Sequence, residues 1–385
     1  MNTRLAIILV LIACCASCDF SKHDHSNVQL SAPASIPDVR PAIIDPDIPQ
    51  QIDELTAQLA GRRVLFIGES HDRLEHHRNQ LRIIKSLYAR YPDFAIGVEY
   101  FQQPFQSYLD DYIAGRITER EMLVGTEYFK RWKLDYRMLQ PIFQFALENH
   151  IPLLALSISD EIHSKVFRGG MKSLSPLELA QIPADMQPAS EGYLQRMKSI
   201  FISHPANDDF GAFVEGVLLW DESMADTAAR YLKTHPGTRM VVLAGMVHVM
   251  YGDGIPGRVN RRMGSNQSVV VINGNDFGSY PGIADFQLLV KNGAALPKAG
   301  KLGVAIADGS HGVLISDFAI ASAARAAGLV AGDRIVAVNG VKVANISELE
   351  SILFDKPPGE RIRLMVQRGG RTDPVQELSF EVALR

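Results

Sequence analysis

Between about residue 60 and residue 275, short apolar runs alternate with amphipathic stretches, and that alternation limits the fold more than any other feature. Arg63-Val64-Leu65-Phe66-Ile67, Phe94-Ala95-Ile96-Gly97-Val98, Pro152 to Ile158, Met240 to Ala244 and Val269 to Ile272 each have the length of a buried strand. Helical patterning occupies the segments near 72–90, 104–115, 136–149 and 209–234. Strands that alternate with helices predict an α/β fold whose mostly parallel sheet is covered on both faces. The proline-containing region 160–208 has weak periodicity and is expected to be a helical insertion, a lid or a pocket wall. Such a sheet collects ligands beyond the carboxyl ends of its strands. Gly68-Glu69-Ser70-His71 follows the first run, Glu99 and Tyr100 end the second, and Gly245-Met246-Val247-His248 follows the fourth. The same Gly-x-x-His spacing therefore occurs twice, each time directly after a buried strand. Any one of these residues alone has an ordinary structural use. Together, Glu69, His71, Glu99 and His248 form a candidate catalytic or metal-binding set, able to hold a cation with open positions or to activate water.

The helix after Gly68 adds detail. Leu74, Leu81 and Ile84 mark an apolar face, and His77 falls on it, which makes His77 an inward support or a core residue. His76 is rotated about 100° away and is expected in solvent with Arg73 and Glu75. Asp72 suits the positive end of the helix dipole.

The chain has 385 residues, enough for two domains, with 21% charged and 46% hydrophobic residues and a net charge of −4. That balance gives no basic face for nucleic acid. It opens with MNTRLAIILVLIACCASCDF, where Arg4 precedes an apolar segment too short to span a bilayer. Leu11-Ile12-Ala13-Cys14 resembles the bacterial lipobox, so residues 1–18 are expected to be a lipoprotein signal peptide with Cys14 acylated; Cys18 is a second candidate. All three cysteines lie in this leader, so the folded body has no disulfide, no thiolate ligand and no cysteine nucleophile. Residues 19–50 are rich in Ser, Pro, Asp and His, among them His23 to His25, and are expected to be a flexible tether.

Two family resemblances emerge from these residues. The region from about 300 to 385 carries Ala323-Ala324-Arg325-Ala326-Ala327-Gly328-Leu329, Gly332-Asp333-Arg334-Ile335 and Val338-Asn339-Gly340, and it resembles a PDZ domain, a small β-barrel-like module. Leu302, Gly303 and Val304, after Lys301, sit where that family binds a peptide carboxylate. The resemblance implies a peptide or protein C-terminus added as a strand at an open sheet edge. The region 51–280 resembles the ChaN-like haem-binding uptake family, part of a group with Tiki-type metalloproteases, TraB proteins and erythromycin esterases. Gly68-Glu69-Ser70-His71-Asp72, His76-His77 with Gln80, Glu99, Trp132 to Pro141, Trp220-Asp221 with Met224-Ala225, and Gly245-Met246-Val247-His248 followed by Gly254-Ile255-Pro256 carry the likeness.

The ChaN resemblance implies a cell-envelope lipoprotein, at the outer membrane and facing the periplasm, that binds haem or an iron-linked small molecule for iron uptake and admits a homodimer. The wider group implies a hydrolase, a peptidase or esterase, in some branches with a divalent cation such as Mn, Co or Zn. In that case Glu69, His71, Glu99 and His248 are the ligands, with His77 and Asp221 behind them. A third alternative is a degenerate scaffold in which only the PDZ domain works. For haem, the family-like axial ligand is tyrosine. Tyr136, in GTEYFKRWKLDYRML, is the first candidate and Tyr100 the second. Related sequences often carry tyrosine just before the proline, where this chain reads Leu139-Gln140-Pro141.

Overall fold

A computed structural model describes residues 39–202, 209–274, 279–291, 295–369 and 374–385. Cys14, Cys18, His23 to His25 and most of the expected tether lie outside the described residues. No described helix is long and apolar enough to cross a membrane.

The first domain runs β1 (Ala42–Ile44), α1 (Pro49–Ala57), β2 (Val64–Glu69), α2 (Leu74–Arg90), β3 (Phe94–Gln102), α3 (Gln106–Ile113), α4 (Glu119–Gly125), α5 (Tyr128–Arg131), α6 (Gln140–Glu148) and β4 (Leu153–Ser157). It continues through α7 (Asp160–Gly169), α8 (Pro176–Leu179), α9 (Glu191–Ile202), α10 (Phe210–Thr234), β5 (Arg239–Gly245), α11 (Met246–Val249), α12 (Ile255–Met263), β6 (Ser268–Asn273) and β7 (Phe286–Leu288). The strands form one sheet in the order β1-β7-β6-β2-β5-β3-β4, and every neighbouring pair is parallel.

The continuous apolar character of the strands has a direct cause: both faces of the sheet are buried. Side chains alternate along each strand, so Leu65, Ile67, Ile96, Val98, Val241 and Leu243 enter one core, with helices α1, α2, α3, α4 and α6. Val64, Phe66, Ala95, Met240, Val242 and Ala244 enter the other, with α10, α11 and α12. Each such Val, Leu, Ile, Phe or Met side chain, removed from water, contributes about 1.5–3 kcal/mol.

Two expectations at the edges need correction. Residues 42–44 are not tether: they form β1, which pairs with β7 at Ala42–Phe286. The sheet also extends past the expected boundary at 280, through β7. Both strands have only three residues, too few for any periodicity. Within the expected helix 136–149, the α-helix starts only at Gln140, with Pro141 in its first turn. Proline lacks the N–H that a preceding turn would need.

The second domain contains β8 (Val304–Gly309), β9 (Gly312–Phe318), α13 (Ala323–Ala326), β10 (Arg334–Val338), β11 (Val341–Lys342), α14 (Ile346–Leu353), β12 (Arg361–Arg368) and β13 (Gln376–Ala383). Its antiparallel sheet has the order β13-β12-β10-β9-β8, with β11 beside β10. This architecture is that of a PDZ domain. Among the described strands β8 pairs only with β9, which leaves one edge open. Leu302, Gly303 and Val304 lead into that edge strand. Gly303 has φ +69, and a Cβ there would stand 2.8 Å from the Ser322 Cα. The two domains touch where Phe354, just after α14, packs on Phe129 and Tyr136, each with ring centroids 5.8 Å away.

Candidate functional site

The chain leaves β2 through α2 toward β3 on one face of the sheet, and leaves neighbouring β5 through α11 and α12 toward β6 on the other. That divergence opens a crevice at the carboxyl ends of β2, β5 and β3. The two Gly-x-x-His segments meet there. Gly68 is needed for close approach, because a Cβ on it would lie 2.5 Å from Val249 Cγ2 and 3.1 Å from the Met246 Cα.

Glu69, the last residue of β2, is buried with three partners. His71 Nδ1 lies 2.6 Å from its Oε1, Tyr100 donates to the same oxygen at 2.9 Å, and His77 Nε2 stands 3.4 Å from Oε2. Burial works to raise the Glu69 pKa, but the charges of His71 and His77 overcome it and hold the carboxyl at about 2. Burial works in the opposite direction on His71, yet Glu69 beside it and Glu99 beyond raise its pKa to about 9. The result is a buried ion pair whose imidazole stays 15% exposed on its outer side.

The second half is built differently. Glu99, inside β3, accepts the Gly245 N–H at 2.6 Å through Oε2. Its Oε1 has no hydrogen-bond partner, with His248 Nε2 at 3.5 Å. His248 Nδ1 is 2.6 Å from Asp221 Oδ1, and Tyr193 donates to Asp221 Oδ2 at 2.8 Å. Burial opposes charge on His248, but Glu99 and Asp221 raise its pKa. The two halves touch at Gly245, where a Cβ would lie 3.2 Å from His71 Nε2 and 3.5 Å from Glu99 Oε2.

Beside this cluster lies a cleft lined by Glu99, Tyr100, Trp132, Trp220, Ile158 and His163. Trp132 packs edge-on against His71 at 4.9 Å and Tyr100 at 5.3 Å. Trp220 donates to Ser157 at 2.8 Å, and Ser157 donates to the Glu99 carbonyl at 2.6 Å. Asp160 on the rim has its pKa raised to about 6, chiefly by burial.

The structure thus brings together Glu69, His71, His77, Glu99, Tyr100, Asp221 and His248. It does not bring Tyr136 to them. Tyr136 is buried among Tyr128, Phe143 and Phe354, with its hydroxyl 3.2 Å from Glu119. It takes part in the contact between domains, and helix α14 from far along the chain covers that side. His76 also departs from expectation: it is buried, and its Nδ1 accepts the Ser70 N–H at 2.9 Å. The loop between β2 and α2 folds over the first turn of the helix, which a helical wheel does not show. His77 points inward as its spacing requires, spanning Gln80 Oε1 and the His71 carbonyl, each at 3.0 Å.

Of the four residues expected to share a cation, Glu69 and His71 are hydrogen-bonded to each other, whereas Glu99 bonds the Gly245 N–H and His248 bonds Asp221. Among the described residues, no three His, Cys, Asp or Glu side chains stand in metal-holding geometry. Sequence reasoning missed His163 and Tyr193, which only the folding of α7 and α9 over the strand ends brings in, and Ser157, which ends β4 and was within reach of the strand-end rule.

Comparison with known proteins places these features in context. The family model described as haem-binding uptake, Tiki superfamily, ChaN matches residues 55–259, and a PDZ-domain model matches residues 294–367. Solved structures similar to this chain include ChaN of Campylobacter jejuni with cofacially bound haem, at 20% identity and TM-score 0.49, covering 61% of this chain and 90% of that one. Another is a mutant of erythromycin esterase EreC, at 13% identity and TM-score 0.38, covering 58% and 72% respectively. A third is the HtrA3 PDZ domain bound to a phage-derived ligand, at 25% identity and TM-score 0.19, covering 22% and 85%. No curated protein matches the sequence.

Proposed function

The chain belongs to the ChaN family of haem-binding uptake proteins, and from that premise we propose that it is a lipid-anchored envelope protein that binds haem and recruits a peptide partner through its PDZ domain. Acylation at Cys14 would hold it at the outer membrane on the periplasmic side, and its role would be iron uptake.

The match of residues 55–259 to the haem-binding family model carries the haem reading. The cleft at the strand ends is walled by two indoles and a phenol, and its lining includes buried polar atoms without partners, Glu99 Oε1 and His163 Nε2. The space inside the cleft suits about one water molecule, so it does not itself receive the macrocycle. Bound haem would supply an iron centre. Haemin titrated into the purified protein is expected to give a saturable Soret shift. An unchanged spectrum, with Mn, Co or Zn held tightly by the same sample, would defeat this reading.

The PDZ part of the proposal rests on the open edge of β8 and the Leu302-Gly303-Val304 turn at its start. An extended peptide C-terminus can add to such an edge as a further strand. Mass spectrometry of the mature N-terminus tests the anchor: an acylated Cys14 supports it, and an unmodified N-terminus further along the chain refutes it.

One specific observation favours hydrolysis as a second reading. Tyr193, Asp221, His248 and Glu99 form a buried relay that orients His248 Nε2 toward a carboxylate oxygen without a partner. Such a relay can take a proton from water. Ester or peptide turnover that disappears in His248→Ala while haemin has no effect would establish it.

A further inference from the structure

We infer that residues 127–133, the short helix α5 with its flanks, form a lid over the strand-end crevice, and that helix α14 of the PDZ domain holds this lid shut. Neighbouring side chains of the segment go to different anchors. Tyr128 and Trp132, four residues apart, pack into the sheet domain. Tyr128 lies on Phe101 with ring centroids 5.5 Å apart, and Trp132 meets His71 at 4.9 Å and Tyr100 at 5.3 Å. Phe129 goes instead to Phe354 of the second domain. Arg131 reaches the lining of the cleft and α7, its Nη1 donating to Gln102 at 2.9 Å and its Nη2 to Glu161 at 2.9 Å.

The shut position is unfavourable within the segment itself. Glu127 (φ 53) and Lys133 (φ 61), at its two ends, both hold the left-handed conformation that residues other than glycine avoid. The Tyr128 hydroxyl is buried without a hydrogen-bond partner, which opposes the arrangement that buries it. A helix of four residues has too few internal hydrogen bonds to offset these terms. What holds the segment down must therefore come from outside it. Within its own domain it has Arg131 and Trp132. From the other domain, α14 packs on both α4 and α5, and Phe354 stands 5.8 Å from Phe129 and from Tyr136. Arg137, just past the lid, donates to the Pro297 carbonyl at 2.8 Å, in the segment that leads into the PDZ domain. The second domain thus holds the chain before, within and after the lid.

With the lid shut, the cleft suits about one water molecule and the His71 side chain is 15% exposed. Lifting residues 127–133 would take Trp132 off the His71 and Tyr100 rings and admit a larger solute to the carboxylate–imidazole cluster. Opening of a short segment apart from global unfolding is an ordinary mode of protein motion. Access to the crevice is then set by a helix of the other domain, far along the chain.

The test is hydrogen–deuterium exchange of the full chain with no ligand added. Phe354→Ala should speed exchange of the Lys130 to Trp132 amides, which close the helix on Glu127 and Tyr128, by about tenfold, while β12 and β13 keep their native rates. Phe354→Leu covers the case in which alanine unfolds the PDZ domain, and it should give the same change in smaller measure. Arg131→Gln should also speed these amides. In Trp220→Phe protein, where Trp132 is the sole indole, Phe354→Ala should raise acrylamide quenching of the fluorescence. Native exchange at residues 127–133 in both Phe354 variants, or quenching that Phe354→Ala leaves unchanged, would overturn the inference. Acceleration confined to Arg131→Gln would overturn it too, because the lid would then be held by its own domain alone.

Discussion

The two Gly-x-x-His segments have the same spacing, follow adjacent parallel strands and end on histidines with raised pKa values, yet they are completed in different ways. In the first, the carboxylate comes from inside the segment: Glu69, two residues before His71, closes a 2.6 Å pair. In the second, the position equivalent to Glu69 is Met246, and the carboxylate reaches His248 from Asp221 on α10. The first half is a local unit that takes further support from Tyr100 and His77. The second is a long-range assembly that exists only once α10 has packed on the sheet. A short motif therefore places an imidazole reliably, whereas its charge partner depends on the fold.

The largest expected effect separates the two carboxylates. Glu69→Ala strips three buried partners at once and should destabilise the protein by about 3–5 kcal/mol, the usual cost of breaking a buried ion pair. Asp221→Ala removes two partners and should cost less. Denaturant midpoints of the two variants decide the point, and a greater loss from Asp221→Ala would reverse the ranking of the halves.

The two glycines offer a second contrast. Gly68→Ala would push a methyl to 2.5 Å from Val249 Cγ2 and close to the Met246 backbone, whereas Gly245→Ala would meet the His71 ring at 3.1 Å. Overpacking of this kind costs about 1–3 kcal/mol. Gly68→Ala should lie at the upper end because its obstacle includes backbone, and Gly245→Ala at the lower end because an imidazole with a solvent-facing side can give way. Equal thermal shifts would show that the crevice is equally rigid on both sides.

Titration supplies a third test. His71 moves from an ordinary 6.5 to about 9 on folding, so its contribution is complete below pH 6.5 and fades as pH rises through 9. Glu69 moves from 4.5 to about 2, so its contribution is complete above pH 4.5 and fades as pH falls through 2. The pair therefore stabilises most fully between pH 4.5 and 6.5. Urea midpoints measured up to pH 9 should decline more steeply in the native protein than in His71→Gln, and parallel slopes would remove the pair from the account. The smallest effect belongs to Tyr193→Phe, which deletes one hydrogen bond to Asp221 and should cost about 1 kcal/mol. A larger loss would mean that α9 supports the second half more than its one bond implies.

These contrasts also explain what the sequence could reveal. The central strands were legible because sheets buried on both faces demand unbroken apolar runs, and Glu69, His71 and Glu99 were legible because they end those runs. His77 followed from helical period alone. His76 did not, since a loop rather than a neighbouring helix buries it. β1 and β7 were hidden by their three-residue length. The misplacement of Tyr136 has the same origin as the omission of His163: both depend on which distant helix comes to lie over them, α14 in one case and α7 in the other, and no local pattern encodes that.

Phe354 has one more consequence. It fixes one end of α14, the helix that packs near β8, in an aromatic layer belonging to the sheet domain. A peptide added at β8 in the whole protein then meets a helix whose ordering cost has already been met by folding, and a pre-organised site binds with a smaller entropic loss. Released from its neighbour, the same PDZ sequence would have to stiffen that helix at the moment of recognition. Peptide affinity on this protein is thus a property of the full chain, and slower dissociation from it than from the free PDZ segment is the form that property should take.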